Sequence, residues 1–381
     1  MRNWSCGEQM KKIKVLMVTV TFGEGSGVNS FIMNYFRTID HSKVQIDILT
    51  YKKSPSGDSP YEKEVKNAGG NIYLLPSLKK PIKHIQAINT ILRKGNYDIV
   101  HDNSLLITIP LMIISRVVGV KIRILHSHAT RLGETKAKEK RNRTFVPALL
   151  INCNCYVGCS EAAGKALFGG KAFTVLPNVV DDEEYSISNE HRILIREKKQ
   201  VTDKIVVLSV GRACEQKNPL FALEVMKKLM NRYPEIEYWW VGDGPMLKQM
   251  SSLAEYYGLS DRIVFWGKQS NVKQLYEAAD IFFLPSLFEG LPLTGIEAQA
   301  MGLPSVISDT ITKEMVFTDL VEYVSLDAPI ERWVEIMERQ MQRIPFRRSY
   351  AKELQNSDFS IENAGHRLES FYKGKLEEVQ T

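Results

Sequence analysis

Four charged residues in the second half of the chain have the types and spacing to do chemistry on a phosphorylated ligand. Arg212 and Lys217 stand five apart in Val207-Leu208-Ser209-Val210-Gly211-Arg212-Ala213-Cys214-Glu215-Gln216-Lys217-Asn218-Pro219, an apolar run entering a glycine turn. An Arg fork and a Lys point charge there suit a diphosphate, because together they stabilise the negative charge that a leaving nucleoside diphosphate develops. An exposed turn with two ordinary surface cations would read the same. Glu289 and Glu297 are separated by seven residues in Ser286-Leu287-Phe288-Glu289-Gly290-Leu291-Pro292-Leu293-Thr294-Gly295-Ile296-Glu297-Ala298. Glu289 is either a ligand-side carboxylate or a solvated loop residue. Glu297, three after Thr294, is either a ligand contact or half of a capping box.

These residues need a strand, a turn and a helix to place them. Ile281 to Leu284 is short and apolar, as a buried parallel strand is, and Gly and Pro then enforce a loop before an Ala-rich helix whose first turn is expected to hold Glu297. An open α/β sheet takes its ligand outside the carboxyl ends of its strands, where a helix N-terminus favours phosphate. Gly290 and Leu291, in that loop, join the carboxylates as ligand-side candidates, and Gly211 joins Arg212 and Lys217. Val241-Gly242-Asp243-Gly244-Pro245 and Val264-Phe265-Trp266-Gly267-Lys268 end further apolar runs, with Gly267 a backbone candidate.

In the first half, Gly23-Glu24-Gly25-Ser26-Gly27-Val28-Asn29-Ser30 follows an apolar run and opens a helix. Gly27 there permits close backbone approach to a ligand, although a ligand-free flexible loop fits too. Leu125-His126-Ser127-His128 places two imidazoles at the carboxyl end of a strand-like run, where His126 is a candidate for an orienting or polar stabilising role rather than a nucleophile. His101-Asp102 ends an earlier run and is a weaker candidate.

A chain of 381 residues exceeds what one core serves, so two domains are expected. Hydrophobic residues at 44% and charged residues at 25% argue against a disordered or integral membrane chain. The most apolar stretch, Leu105 to Val120, is broken by Pro110 and Arg116 and reads as a buried helix rather than a span. Ile13 to Phe22 reads as a first strand, not a leader, and Met10 is a possible start. The five cysteines, Cys6, Cys153, Cys155, Cys159 and Cys214, lack a paired metal spacing and point to reduced thiols in a cytosol. The net charge of +6 divides into +9 over residues 1–190 and −3 over the rest. Arg131, Lys136, Lys138, Lys140, Arg141 and Arg143 concentrate it in a segment that could meet an anionic membrane surface or simply be solvated. Interleaved aromatics are missing there, which argues against nucleic acid.

Strand-like runs alternate with helical patterns: Val15–Val20, Ile46–Leu49, Ile72–Leu75, Ile99–Val100 and Ile122–Leu125, then Ile205–Val210, Tyr238–Val241, Ile263–Phe265, Ile281–Leu284 and Ser305–Ile307. Such alternation predicts parallel sheets covered by helices, hence an α/β chain of two doubly wound, Rossmann-like domains. A polar linker after Asp181 divides them into 1–182 and 183–358, with a helical segment over 359–381.

The string Ser-x-x-Glu-Gly-x-Pro followed by Glu-Ala-x-Ala-x-Gly-x-Pro, with Gly-Arg, four residues and Lys-Asn upstream, resembles the retaining family-4 glycosyltransferases of GT-B fold. The likeness runs through Tyr97-Asp98-Ile99-Val100-His101, Cys159-Ser160-Glu161-Ala162-Ala163-Gly164 and Leu176-Pro177-Asn178, and is strongest to bacterial exopolysaccharide and capsule enzymes. It implies two domains facing across a cleft, the second binding the nucleotide sugar and the last helix returning to the first. It implies transfer from a nucleotide diphosphate sugar, UDP-linked, to a lipid-linked glycan acceptor, with retention and with no metal or other cofactor. His126, Arg212, Lys217 and Glu289 would then be catalytic. Gly27, Gly211, Arg212, Lys217, Gly267, Glu289, Gly290, Leu291 and Glu297 would bind donor, Glu297 through ribose hydroxyls. One departure stands out: where the family has Gly-Gly-x-Glu, this chain has Ser26 and Asn29. A cytoplasmic protein, peripheral on the inner membrane face, is the expected setting. A donor-binding subunit without turnover and a same-fold nucleotide-sugar epimerase are the alternatives, and the intact Arg212, Lys217, Glu289 and Glu297 argue against the first.

Overall fold

A computed structural model of the chain describes residues 12–53, 59–133 and 135–379. Cys6 and Met10 lie outside the described residues. Thirteen strands form two sheets. They are β1 (Ile13–Thr21), β2 (Val44–Lys52), β3 (Ile72–Leu74), β4 (Ile99–Asp102), β5 (Ile122–Ser127), β6 (Cys155–Gly158), β7 (Thr174–Val175), β8 (Ile205–Val210), β9 (Ile236–Val241), β10 (Ile263–Gly267), β11 (Ile281–Leu284), β12 (Ser305–Ser308) and β13 (Val321–Val324). All ten expected strands are present. The further ones, β6, β7 and β13, are short, and β6 carries the buried Cys155.

The first sheet has the order β3-β2-β1-β4-β5-β6-β7 and the second β10-β9-β8-β11-β12-β13. Pairing is parallel between β1 and β2, β1 and β4, β2 and β3, and β4 and β5, and throughout the second sheet. Strand order therefore reverses between β1 and β4 and again between β8 and β11, where the crevice of a doubly wound sheet opens. By their contacts, the described residues of 12–126, 144–157 and 363–379 form one compact unit, and those of 127–143 and 158–362 another.

In the second unit, β11 is buried along its whole length, as a parallel strand covered on both faces must be. Its start is fixed by Asp280, which accepts from Val206 N at 2.8 Å and pairs with Arg196 at 2.9 Å. Arg192 pairs with the same carboxylate. Trp239 and Phe282 fill one apolar cluster on this sheet, and Tyr238, Trp240, Phe283 and Trp333 fill another.

Two expectations about helices need correction. Leu105 to Val120 is not one buried helix: a 3₁₀ turn, Leu105–Thr108, leads into the helix Ile109–Val117, with Pro110 in its first turn. Only Leu111, Met112 and Ser115 of that helix are buried, and Val117 is 76% exposed. Pro110 is compatible with the start because a first-turn N–H has no intrahelical acceptor anyway. Nor does Glu297 fall in a first turn. The helix Leu293–Ala300 is capped at Pro292 without a side-chain bond, so Glu297 is its fifth residue.

In the first unit, the last helix, Ala364–Glu378, packs on the end of the helix Gly27–Thr38. Gly365 makes this possible, since a Cβ there would come within 2.0 Å of the Thr38 carbonyl oxygen.

Candidate active site

The carboxyl ends of β8, β9 and β10 carry three glycine turns that stack by backbone contact. Gly211 N donates to Val241 O at 2.9 Å, Gly242 N to Gly267 O at 2.8 Å, and Ala213 N to Asp243 O at 2.9 Å. Only glycine fits at 242: its φ is +133°, and a Cβ would stand 2.2 Å from Gly211 O. Gly267 has φ +61°. The candidates at 211 and 267 thus shape one continuous backbone edge.

After Gly211 the chain makes a 3₁₀ turn, Glu215–Lys217, closed by Asn218 in the left-handed region, and the helix Pro219–Arg232 follows. This turn aims Lys217 at the loop after β11. Lys217 Nζ lies 2.7 Å from Glu289 Oε1, with side chains only 14% and 9% exposed. The two strands that flank the switch point of the sheet thereby deliver one residue each. Gln216 completes the arrangement, donating to Glu289 Oε2 and to Phe288 O, each at 3.1 Å, while its carbonyl accepts from Leu287 N at 2.8 Å. Gln216 has no role in the expected motif, and its polar amide next to Lys217 is the sequence signal for it.

Gly290 and Leu291 are held from behind. Their carbonyls accept from Ser160 Oγ at 3.0 Å and Asn178 Nδ2 at 2.6 Å, and Thr130 Oγ1 donates to Glu289 O at 2.9 Å. A Cβ at 290 would meet His128 O at 2.2 Å, so this glycine serves close packing inside the unit. Burial pushes the His128 imidazole down to about 3, which keeps it neutral.

Glu297 accepts from Tyr276 hydroxyl at 2.8 Å. Burial pushes its carboxyl up to about 7, with Glu184 adding to the effect and Tyr276, Tyr185 and Lys217 opposing it. The capping-box alternative fails, because Thr294 Oγ1 is buried and among the described residues has no hydrogen-bond partner. Ser286 Oγ is in the same state. Ser286 lies in the loop after β11 and Thr294 in the first turn of the helix that follows it. Tyr276 as a partner for Glu297 left no trace in the sequence, being twenty-one positions away on another helix.

Arg212 stands apart from this cluster. It is exposed and, among the described residues, makes no ion pair or hydrogen bond. The basic segment is also less free than its composition suggested. Arg131 and Arg143 both pair with Glu139, at 3.0 and 3.1 Å, and Arg131 stacks over the Phe288 ring. The helix Lys136–Arg143 buries none of its residues.

In the first unit, His126 is fully buried in β5 and bonded through Nδ1 to His101 Nε2 at 3.0 Å. Gly27 is the first residue of its helix, with nothing within 4 Å of where a Cβ would be. Asn29, at the position of the family's glutamate, is used structurally, donating to Thr21 O and Gly23 O at 2.8 Å each and bonding Thr19 Oγ1 at 2.9 Å. Cys153, Cys155, Cys159 and Cys214 are buried free thiols.

Residues 191–355 match the family described as Glycosyl transferases group 1. A Bacillus subtilis (strain 168) protein bearing the name glycosyltransferase EpsF is 31% identical over 338 residues, covering 86% of this chain and 87% of its own. An Escherichia coli protein named UDP-Gal:alpha-D-GlcNAc-diphosphoundecaprenol alpha-1,3-galactosyltransferase is 27% identical, over 74% of this chain and 76% of its own. Among solved structures, Anabaena Alr3699/HepE in complex with UDP and glucose superposes with a TM-score of 0.78 at 15% identity, covering 95% of this chain and 99% of that one. The lipopolysaccharide glycosyltransferase WaaG gives a TM-score of 0.72 at 14% identity, covering 94% and 100%. The fold is that of the GT-B glycosyltransferases. The chain belongs to the group 1 glycosyltransferases and is related to bacterial exopolysaccharide and capsule enzymes.

Proposed function

We propose that this glycosyltransferase moves a sugar from a UDP-linked donor to a lipid-linked glycan acceptor, retaining the anomeric configuration and needing no metal. The observation that carries the donor assignment is the meeting of Lys217 and Glu289 at the switch point of the second sheet, with exposed Arg212 on the same turn. Lys217 and Arg212 stabilise the departing diphosphate, the role a divalent ion would otherwise fill. Glu289 keeps Lys217 placed and presents its carboxylate to the sugar. The unpartnered hydroxyls of Ser286, in the loop after β11, and Thr294, in the first turn of the next helix, supply further donors. Glu297 receives ribose hydroxyls, Gly27, Gly211, Gly267, Gly290 and Leu291 line the donor, and His126 stabilises charge without acting as a nucleophile. Retention follows from same-face displacement assisted by the leaving phosphate.

Support for UDP and for a lipid-linked acceptor comes from relatives: the E. coli protein's name specifies a UDP-Gal donor and a diphosphoundecaprenol acceptor, and HepE holds UDP. Residues 1–182 would serve the acceptor and 183–358 the donor, with 359–381 returning to the first part. No helix among the described residues is long and apolar enough to cross a membrane. Attachment to the cytoplasmic face through the exposed helix Lys136–Arg143 belongs to the same proposal.

Thermal-shift measurements against a panel of nucleotide sugars test the donor, since a ligand at a hundredfold excess over its dissociation constant stabilises by about 2.7 kcal/mol. UDP-sugars should raise the melting temperature, and transfer to extracted polyprenyl-diphosphate glycans should follow. A shift with another nucleotide class and none with UDP-sugars overturns the donor assignment, and sugar turnover without acceptor would favour epimerisation.

A further inference from the structure

Glu297 and Tyr276 lie on two short helices that one side chain ties together at their ends. Arg347 donates through Nη2 to Tyr276 O at 2.8 Å, in the last turn of the helix Lys273–Ala278, and through Nε to Met301 O at 3.1 Å, where the helix Leu293–Ala300 ends. Arg192 takes further carbonyls at the end of the first helix, Glu277 O and Ala279 O at 2.6 Å each. Carbonyls of a last turn have no intrahelical partner, so the two guanidinium groups supply the missing bonds and fix how the helices meet.

This clamp leaves the Tyr276 hydroxyl little freedom. Its ring is fully buried, with Phe282 at 6.1 Å and Tyr185 at 6.0 Å between centroids. A phenol has one hydrogen, and burial pushes Tyr276 well above its ordinary value, so the hydrogen stays. The Glu297 oxygen at 2.8 Å is nearer than Thr294 O at 3.3 Å and, once ionised, the stronger acceptor. Tyr276 therefore donates to Glu297, which keeps part of its own surface exposed.

We propose that Tyr276 is a positioning residue of the donor site, holding Glu297 in place and in the ionised form that accepts hydroxyls of the nucleoside. The inference deepens the proposed function and rests on its reading of Glu297 as the ribose contact. A carboxylate accepts at both oxygens, whereas a carboxylic acid carries a hydrogen on one of them. Burial pushes Glu297 toward the acid, up to about 7; Tyr276 is the strongest opposing influence, Glu184 adds to burial, and Tyr185 and Lys217 oppose it more weakly. Glu184 and Tyr185 come from the segment after β7, and Lys217 from the turn after β8. Without the Tyr276 hydroxyl the balance at neutral pH falls to the acid. A hydroxyl that merely satisfied a buried ring would leave donor affinity untouched.

The test is calorimetric titration with UDP-glucose, whose doubly esterified diphosphate does not itself titrate near neutrality, on wild type, Tyr276→Phe and Glu297→Gln across the neutral range. Tyr276→Phe keeps the ring and removes only the donor. Wild type should bind more tightly as pH rises through about 7 and then level off. In Tyr276→Phe the midpoint should move up by about one pH unit or more, giving roughly five- to tenfold weaker binding near neutrality that recovers at higher pH. Damage to the fold would not recover. Glu297→Gln should bind weakly throughout. Weak binding by Glu297→Gln beside a wild-type profile in Tyr276→Phe, or a loss in Tyr276→Phe of one size at every pH, overturns the proposal and leaves the ribose reading standing. Wild-type affinity in Glu297→Gln overturns the ribose reading and the proposal with it. Carboxyl ¹³C titration of Glu297, assigned with Glu297→Gln, reads the same midpoint without ligand, and an unmoved midpoint in folded Tyr276→Phe overturns the proposal whichever nucleotide sugar binds. Wild-type affinity that is flat with pH overturns it with no variant needed.

Discussion

Lys217 and Glu289 form a nearly buried ion pair at 2.7 Å, whereas Arg212, five residues before Lys217 on the same turn, is exposed and has no ion-pair partner among the described residues. The two cations of one motif are therefore in different physical states. One is held by the protein and has a structural partner to lose. The other is solvated and has only a ligand to gain.

Substitution should separate them. Lys217→Ala leaves the Glu289 carboxylate buried without its cation, a loss of about 3–5 kcal/mol when a buried pair is broken from one side. Arg212→Ala removes nothing the folded protein uses, so its melting temperature should match wild type. Both should lower turnover by roughly 10²-fold, the usual effect of deleting a donor that stabilises transition-state charge. Calorimetry and steady-state kinetics on the two variants check this, and normal kinetics in both would remove the diphosphate assignment.

Glu297 gives the protein a stability that depends on pH. Its carboxyl is raised from 4.5 to about 7 by burial, so the folded state holds the proton more tightly than the unfolded chain. The associated stability is fully present below about 4.5 and is lost as pH rises through about 7. Glu297→Gln, neutral throughout, should gain in melting temperature relative to wild type across that window and level off above it. A difference that stays flat from pH 4 to 8 contradicts the assignment. UDP-glucose affinity, which needs the ionised form, should rise over the same window in wild type and not in the variant.

Transfer should continue in excess chelator. Arg212, Lys217 and the helix starting at Pro219 supply positive field at the carboxyl end of β8, the role a divalent ion would otherwise fill. Activity that vanishes in EDTA and returns with Mg²⁺ or Mn²⁺ refutes this.

Membrane attachment should be weak and reversible. With Arg131 and Arg143 both engaged by Glu139, the other basic residues of the segment are Lys136, Lys138, Lys140 and Arg141. At about 1 kcal/mol per basic residue near an anionic surface, these four suffice for salt-sensitive binding. Replacing them by Gln should abolish co-sedimentation with anionic liposomes and leave UDP-sugar binding intact. Wild type that ignores such liposomes at low salt would point to a soluble acceptor or a protein recruiter.

The elements and the motif residues were open to inspection in the chain itself. Buried parallel strands are uninterrupted apolar runs because both faces are covered, so ten of them could be marked before any coordinates, and the long ones fell where expected. Gly242 announced a turn because backbone crowding there excludes a Cβ, and Gly267 because its φ of +61° favours glycine, requirements that act on residue type directly. Short strands such as β7, two residues long, carry too little pattern to stand out.

Partnership was decided only in three dimensions. Thr294 and Glu297 have the spacing of a capping box, but the helix begins at Leu293 and Glu297 turns instead to Tyr276. Asn29, which stands where the family has glutamate, is spent on the turn it follows. Lys217 finds Glu289 because β8 and β11 are neighbours, and His126 is tied through His101 to Tyr372 because the last helix packs against the helix Gly27–Thr38. Residue type and local period act over one turn or one strand, and these the linear chain displays. Hydrogen bonds and ion pairs act over about 3 Å of space, and which residues come that close is set by strand order and helix docking.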